Sequence, residues 1–310
     1  MRWWSLRFFP ALCLLLATFA VKAEGAAVAV LYPEVRAPYD RIFNDILQGI
    51  EQQANGKVVT YALKGEEGLT HVKGWLEQND PAAIISLGSH GKALADNLAL
   101  GPKVVVGASM LSDLNISQGV LGISLTPAPE KLFSRLKQLA PKVKKVHVVY
   151  QPETNTWLIN RAMRAAKDYQ LEVQAFPAAD VREAAALYKK ILKETADGAQ
   201  AVWLLQGDPT LDERSLLPTI LRNAWNKSFV VFSSNPSHVK RGALFSLYPD
   251  NVKMGASLAK KAQNILKGID QDVDPLDDLL IAVNVRTAEH LSLRISRAQE
   301  REFNLVFPLK

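Results

Sequence analysis

Short β-branched runs alternate with segments of helical period along this chain, and the alternation starts afresh once near its middle. Strands separated by helices pair in parallel, because each helix must carry the chain back across the sheet before the next strand begins. Ala82–Leu87, Ala201–Leu205 and Phe229–Phe232 are apolar without alternation, as strands covered on both faces are. The first array reads Ala27–Tyr32, Val58–Tyr61, Ala82–Leu87, Lys103–Val106 and Val120–Ile123. Its helices include one whose face is Tyr39, Ile42, Phe43, Ile46, Leu47 and Ile50, then Leu69–Gln78, then one from Gly88-Ser89-His90-Gly91 through Leu98. The second array reads Lys145–Tyr150, Leu171–Phe176, Ala201–Leu205 and Phe229–Phe232. Its helices carry Leu158, Ile159, Ala162, Met163 and Ala166, then Val181 to Leu192, then Leu216–Trp225. Between the arrays, Thr126 is expected to cap a helix with early prolines and the stripe Leu132, Phe133, Leu136 and Leu139. Two arrays of similar size predict an α/β protein of two Rossmann-like lobes with parallel sheets.

Phe229–Gly268 reads as a strand, a short polar turn, a second strand, a Tyr-Pro-Asp-Asn loop and an amphipathic helix closed by Gly268. That helix, with Met254, Leu258, Ala262 and Ile265, is expected to return to the first lobe. The acidic Ile269–Leu276 then reads as a hinge or surface link, and Ile281–Val285 as a short strand before a final small helix. The expected division is lobe 1 from 24–124 plus about 250–280, and lobe 2 from 125–249 plus about 281–310.

Residues 1–23 have the layout of a cleavable export signal: Arg2 and Arg7, an apolar Phe8–Val21, and Val21-Lys22-Ala23 before cleavage. The apolar run is short for a membrane span and is interrupted by Pro10. Cys13, the one cysteine, lies inside it and follows Leu12, so a lipid anchor is not expected. The mature chain then has no cysteine for disulfides, thiol catalysis or cysteine metal sites. Losing Arg2, Arg7 and Lys22 lowers the formal charge by three from +6, and nothing in the basic residues suggests a nucleic-acid partner. The expected location is the periplasm, as a monomer.

In parallel α/β lobes ligands gather at the carboxyl ends of strands. The residues there are Tyr32 and Arg36, then Ser89 and His90, then Ser109 in the first lobe. The second lobe offers Gln151 and Asn155, Asp208, then Ser233 and Asn235, with Tyr248 near a crossing between lobes. Aromatic faces, hydroxyls and amides suit a small polar or aromatic solute. Each residue also has a plainer role: Ser89, Thr154, Thr210 and Asp250 precede helices and could simply cap them, and Trp157 could be a core anchor. Catalytic patterns are missing. Gly88-Ser89-His90-Gly91 lacks nucleophile-elbow spacing, the histidines at 71, 90, 147, 238 and 290 are scattered, and no glycine-rich phosphate loop occurs. No cofactor, metal or enzymatic activity is expected.

Gly119-Val-Leu-Gly-Ile-Ser-Leu-Thr-Pro-Ala-Pro-Glu-Lys131, Val146-His-Val-Val-Tyr-Gln-Pro-Glu153 and Pro236–Gly268 together resemble motifs of a known family. It is the ABC-transporter substrate-binding family of the type I periplasmic-binding fold, which includes tryptophan- and tyrosine-type binders. The resemblance covers nearly all of the mature chain. It implies capture without chemistry: two lobes joined by hinge strands close over a solute and present it to the permease of an ABC importer. A receptor of the same fold docking on a membrane sensor is the alternative, and an exported α/β enzyme a more distant one. The family's ligand-facing turns map onto the loop after Tyr32, Ser89, the Ser109 loop, Gln151–Asn155, Asp208 and Ser233–Asn235. Family members commonly have an acidic turn where this chain has Ser233-Ser234-Asn235. That weakens an amino-acid assignment, since a buried ammonium wants a counter-charge; Asp208 is the acid that could stand in.

Overall fold

The structure is a computed structural model that describes residues 28–54, 56, 58–64, 69–89, 93, 104–112, 115, 120–194, 198–269 and 272–309. The expected export signal, His90 and the helix expected through Leu98 lie outside the described residues.

The two sequence arrays form two sheets. The first contains β1 (Val28–Pro33), β2 (Val58–Leu63), β3 (Ala83–Leu87), β4 (Val104–Ser109), β5 (Gly122–Pro127) and β11 (Val273–Leu276), in the order β11-β5-β4-β3-β1-β2. All its pairings are parallel. The second contains β6 (Lys145–Tyr150), β7 (Glu172–Pro177), β8 (Gln200–Leu204), β9 (Val230–Ser233), β10 (Phe245–Pro249), β12 (Leu279–Asn284) and β13 (Leu305–Phe307). Its order is β13-β12-β10-β9-β8-β6-β7, parallel except where β12 runs against β10.

Helices α1 (Asp40–Gln53) and α8 (Asn251–Leu266) cover one face of the first sheet, placing Ile46, Ile50, Met254 and Leu258 on Val30, Ile85 and Leu87. On the other face, α2 (Leu69–Asn79) sets Val72 and Leu76 on Ala29, Leu31 and Ile84. In the second lobe α3 (Pro129–Leu139) and α4 (Pro152–Ala165) cover one face. The other is covered by α5 (Val181–Glu194), α6 (Leu216–Lys227) and α7 (Pro236–Arg241). Two short helices, α9 (Val285–His290) and α10 (Arg297–Glu300), precede β13. The second core is built on aromatic rings. Trp203 stacks on Phe232 at 6.1 Å and Phe232 on Phe245 at 5.3 Å, while Phe133 meets Trp203 edge-on at 5.9 Å. Each such pair adds about 0.5–1.5 kcal/mol beyond the area it buries.

The chain passes between the sheets three times: from β5 to α3 at Ala128, from β10 to α8 at Asp250, and from β11 to β12 at Asp277-Asp278. The passages are tied to one another. Ala128 N–H donates to Leu276 O at 2.9 Å, Asp250 N–H to Asp278 O at 2.9 Å, and Ser257 Oγ to Asp278 Oδ2 at 2.6 Å. Burial raises the Asp277 carboxyl above its ordinary value, and the neighbouring Glu130 and Asp278 push the same way against Lys131 and Arg161.

Several local expectations are corrected. β5 runs on to Pro127, so Thr126 is a strand residue; α3 is preceded by Ala128 and has no side-chain cap. The second half of Ile269–Leu276 is a strand and not a link, because 273–276 pairs with β5 and the passage follows at 277–278. The polar turn after β9 leads into a helix, α7, with Asn235 as its cap and Pro236 in its first turn. The final segment holds two short helices and an edge strand. Tyr39 and Ile42, expected on the buried face of α1, are 65% and 38% exposed, because that face meets the sheet only from Ile46 onward.

Helices α1 and α8 cross so closely that a β-carbon on Gly49 would collide with the Val252 carbonyl oxygen, and one on Gly255 with that of Ile46. Gly255→Ala should therefore lower stability by about 1–3 kcal/mol through overpacking, although alanine favours a helix. Gly74→Ala, in α2 with open space around it, should raise stability by up to about 1 kcal/mol. Urea denaturation reads both signs.

Candidate functional site

The loops after the carboxyl ends of β4 and β8 belong to different lobes and approach each other. After β4 and β8 the loops touch: a β-carbon on Gly207 would lie 3.7 Å from Met110 Cε. Met110 reaches that position through a bulge. β4 pairs with β5 as Val106–Gly122 and then Ser109–Ser124, one residue more on β4, and Ala108 takes up the difference at φ 51°. An extra residue bends the strand and re-aims the residues after it. Ser124 fixes the new path: its Oγ accepts Leu111 N–H at 3.1 Å and lies 3.1 Å from Thr126 Oγ1, which contacts Met110 Sδ at 3.9 Å.

On the second-lobe side three expected residues meet in one cluster. Asp208 is 5% exposed and accepts four hydrogen bonds. Its Oδ2 takes Gln151 N–H at 2.8 Å and Asn155 Nδ2 at 2.9 Å; its Oδ1 takes Thr210 N–H at 2.9 Å and Thr210 Oγ1 at 2.5 Å. The carboxylate thus clasps the start of α4 to the loop after β8. Thr154 and Thr210 are not helix caps: Thr154 lies inside α4 with its hydroxyl on Gln151 O, and Thr210 closes a turn on Asp208. All four donors are neutral, so the carboxylate keeps its charge while its oxygens are held in place.

A second cluster lies behind the turn after β9. Ser233 and His238 are fully or almost fully buried. Ser233 Oγ and His238 Nδ1 are 2.8 Å apart, and His238 Nε2 and Glu213 Oε1 are 3.0 Å apart. A neutral ring satisfies both contacts when the one serine hydrogen goes to Nδ1 at 2.8 Å rather than to Leu204 O at 3.2 Å, and Nε2–H donates to the carboxylate. Ser233 Oγ also accepts Asn235 N–H at 3.0 Å, and Asn235 Oδ1 accepts Ser237 N–H at 2.9 Å. Arg241 holds Glu213 from the far side, donating to its backbone oxygen at 2.9 Å. Burial pushes the His238 imidazole below its ordinary value of 6.5, outweighing the pull of Glu213 in the other direction. The remaining hydroxyl of the turn, Ser234, receives the Trp203 indole N–H at 3.2 Å.

The other expected residues are more dispersed. Tyr32 is half-buried against the first core, Arg36 and Ser89 are exposed, and Ser109 is buried beside Ser124. Tyr248 packs on Val239, Ala282 and Phe307 beneath α7; burial, reinforced by Asp250, raises its phenol above the ordinary value. Trp157 packs against the second core. Met110, Gly207, Glu213 and His238 were not among the expected residues. Met110, Gly207 and Glu213 follow strand ends, so the rule that found Asp208 could have found them. His238 could not have been found that way, because its partners stand at positions 233 and 213. Among the described residues no group of three or more His, Cys, Asp or Glu side chains could hold a metal ion.

Asp208→Asn turns one acceptor oxygen into a donor facing donors. It should lower the urea midpoint by the equivalent of about 1–3 kcal/mol, with the slope unchanged. For His238 the unfolded ring protonates near 6.5 while the folded ring resists. Below that pH the unfolded chain binds more protons, so stability falls as pH drops through this value. His238→Gln should flatten that part of the stability profile between about pH 7.5 and about pH 5.5.

A family model described as ABC transporter substrate binding protein matches residues 84–299. No curated relative matches the sequence at a significant level. Among solved structures, a ligand-free, open substrate-binding protein with adhesive properties from Clostridium difficile aligns with a TM-score of 0.62. It is 15% identical, with 92% of this chain and 100% of that chain covered. An ABC domain in complex with L-Trp from Streptococcus pneumonia aligns at 0.52 and 19% identity, covering 91% and 99%. A conserved domain protein from Vibrio cholerae aligns at 0.51 and 19%, again covering 91% and 99%. At these identities the structures speak for the fold, which is that of type I periplasmic binding proteins. The family match spans well over half of the chain, and the protein belongs to the ABC transporter substrate-binding protein family.

Proposed function

We propose that the chain captures a small polar or aromatic solute between its lobes and delivers it to an ABC importer, without chemistry on the solute. The observation that carries this reading is the meeting of Met110 and Gly207 across the cleft, where the strand ends of two separate sheets line one space. The lobes in this reading are 24–124 with about 250–280, and 125–249 with about 281–310. They turn about the three linked passages at Ala128, Asp250 and Asp277-Asp278, in the manner of hinge closure around a ligand.

The division of labour among the cleft residues follows from burial. Tyr32, Ser89, Gln151 and Asn235 are at least partly exposed and are assigned to the solute; Arg36 and His90 are assigned with them from their sequence positions after the first and third strands. Asn155, Asp208 and Ser233 are buried and hydrogen-bonded within the lobe, so they hold the contact residues in place. Ser109 and Tyr248 shape the cleft floor and the crossing. Both acids behind the second-lobe wall, Asp208 and Glu213, already have partners. Asp208 keeps its negative charge behind that wall, since its donors are neutral, and the amides and hydroxyls in front of it suit a polar solute.

The chain acts outside the cytoplasmic membrane in this reading, as a monomer that meets a permease. The signal-like 1–23 supports that, and no described helix is long and apolar enough to cross a membrane.

Thermal-shift screening of the mature chain against a metabolite panel tests the proposal. A true ligand at about a hundredfold excess over Kd stabilises by about 2.7 kcal/mol. Ser89→Ala, Gln151→Ala and Asn235→Ala should each weaken that ligand about tenfold, the effect of leaving one polar group unpaired. Unchanged affinity in both Ser89→Ala and Asn235→Ala would sink the cleft assignment. Turnover of the bound solute would sink the non-enzymatic reading.

A further inference from the structure

At the amino ends of the parallel strands of the second sheet, α6, α7, α9 and the chain after β13 line an open cavity of about 570 Å³. Its position follows from strand direction. Gly242 precedes β10, and Asn284 ends the antiparallel β12, with Asn284 N–H on Leu244 O at 2.9 Å; Phe307 pairs with Asn284 at the end of β13. These residues mark the amino ends of the parallel strands, whereas the cleft lies at their carboxyl ends.

Four cationic side chains line the cavity: Arg222, Lys240, Arg241 and Arg286. Arg241 is paired with Glu213. Arg222, Lys240 and Arg286 have no carboxylate partner among the described residues. Helix-end electrostatics explains Lys240, in the last turn of α7, where the helix dipole favours a cation. It does not explain Arg222, in the middle of α6, and it opposes Arg286, in the first turn of α9. Arg286 is instead held over the Trp225 ring, 5.4 Å from its centroid, beside His290, which stacks on that ring at 3.7 Å. The walls are tied together, since Asn284 Nδ2 donates to Val239 O at 2.8 Å and Thr287 Oγ1 to Gly242 O at 3.0 Å.

We propose that this cavity is a binding site for a phosphate-bearing anion, separate from the solute cleft. Three unpaired cations in one concavity repel one another, and an anion of at least two charges relieves that repulsion. Two of the three are arginines, whose planar forks match phosphate oxygens in pairs. Trp225, 38% exposed on the cavity wall, offers an apolar surface to whatever carries the phosphate. A free phosphate ester and the headgroup of an anionic lipid share this chemistry.

The test uses the mature chain and two probes, inorganic pyrophosphate in a thermal-shift titration and sedimentation with phosphatidylglycerol-containing vesicles. At least one probe should bind, more weakly as salt rises. The double substitution Arg222→Gln with Lys240→Gln should weaken it at least about tenfold, and Arg286→Gln should do so separately. Saturable pyrophosphate binding assigns a soluble phosphate. Vesicle binding without it, with no binding to pure phosphatidylcholine, assigns a lipid headgroup. Lys167→Gln with Lys190→Gln removes the same charge from exposed positions elsewhere and should leave binding unchanged. Equal weakening by that control, full binding by the cavity variants, or no binding of either probe would overturn the proposal. Affinity for the cleft solute is expected to be the same in all of these variants.

Discussion

Helices α1 and α8 meet backbone against backbone, and the two-lobed form rests on that contact. Gly49 and Gly255 each face a carbonyl oxygen of the other helix, so the approach excludes any side chain at either position. The contact draws a helix from the last third of the chain onto the first sheet, where Met254, Leu258 and Ala262 complete a face begun by Ile46 and Ile50. Once α8 is seated there, β11 can extend the sheet beside β5, and the chain must leave again to form β12. A chain crossing once would leave two independently tumbling lobes. Crossing three times, with the passages hydrogen-bonded to one another, ties the lobes together, and the proposed closure is one restricted motion about them.

That motion brings together two walls of different make. The first-lobe wall depends on backbone geometry, a bulge with Ala108 at positive φ that carries Met110 toward the other lobe. The second-lobe wall depends on buried polar groups. A buried carboxylate is costly unless its oxygens are satisfied, and Asp208 meets that condition with donors from the start of α4 and from its own loop. Ser233 and His238 are likewise buried and bonded, to each other and to the exposed Glu213. Networks satisfied within the lobe set the shape of the wall. The polarity that the sequence shows at these turns is therefore partly architectural, and the groups left for a solute are amides, hydroxyls and aromatic faces.

Much of the architecture could be read from the chain, because strands buried on both faces carry a signal of their own. Ala82–Leu87 and Ala201–Leu205 are bounded to within one residue of β3 and β8. The failures share a cause, which is that the deciding contact is distant in sequence. Val273–Leu276 has too many acids and prolines to look like a strand, and becomes one by pairing with β5 at a sheet edge. Thr126 has the chemistry of a cap but lies in a strand held by β4 and β11. Tyr39 and Ile42 fit the helical period, yet α1 overhangs the sheet at that end. In the cleft, the strand-end rule picked out Gln151, Asn155 and Asp208, which do cluster. It could not show that Asp208 spends its acceptor capacity on the other two and on Thr210.

Helix α7 stands between the cleft and the cationic cavity, and its anchoring decides how the two relate. Its first turn is capped by Asn235, His238 is pinned between Ser233 and Glu213, and its last carbonyls are bonded by Asn284 and Thr287. The helix has only six residues, too few to persist alone, so these contacts and the packing of Val239 fix it to the sheet. Cap, histidine and carbonyl contacts thus tie it to the sheet along its length. Coupling between sites requires an element with two arrangements that both ligands bias. Closure of the cleft is carried by the three passages between lobes, and these leave the second sheet at the end opposite the cavity. Solute capture and anion binding, as proposed, therefore use opposite ends of the second sheet.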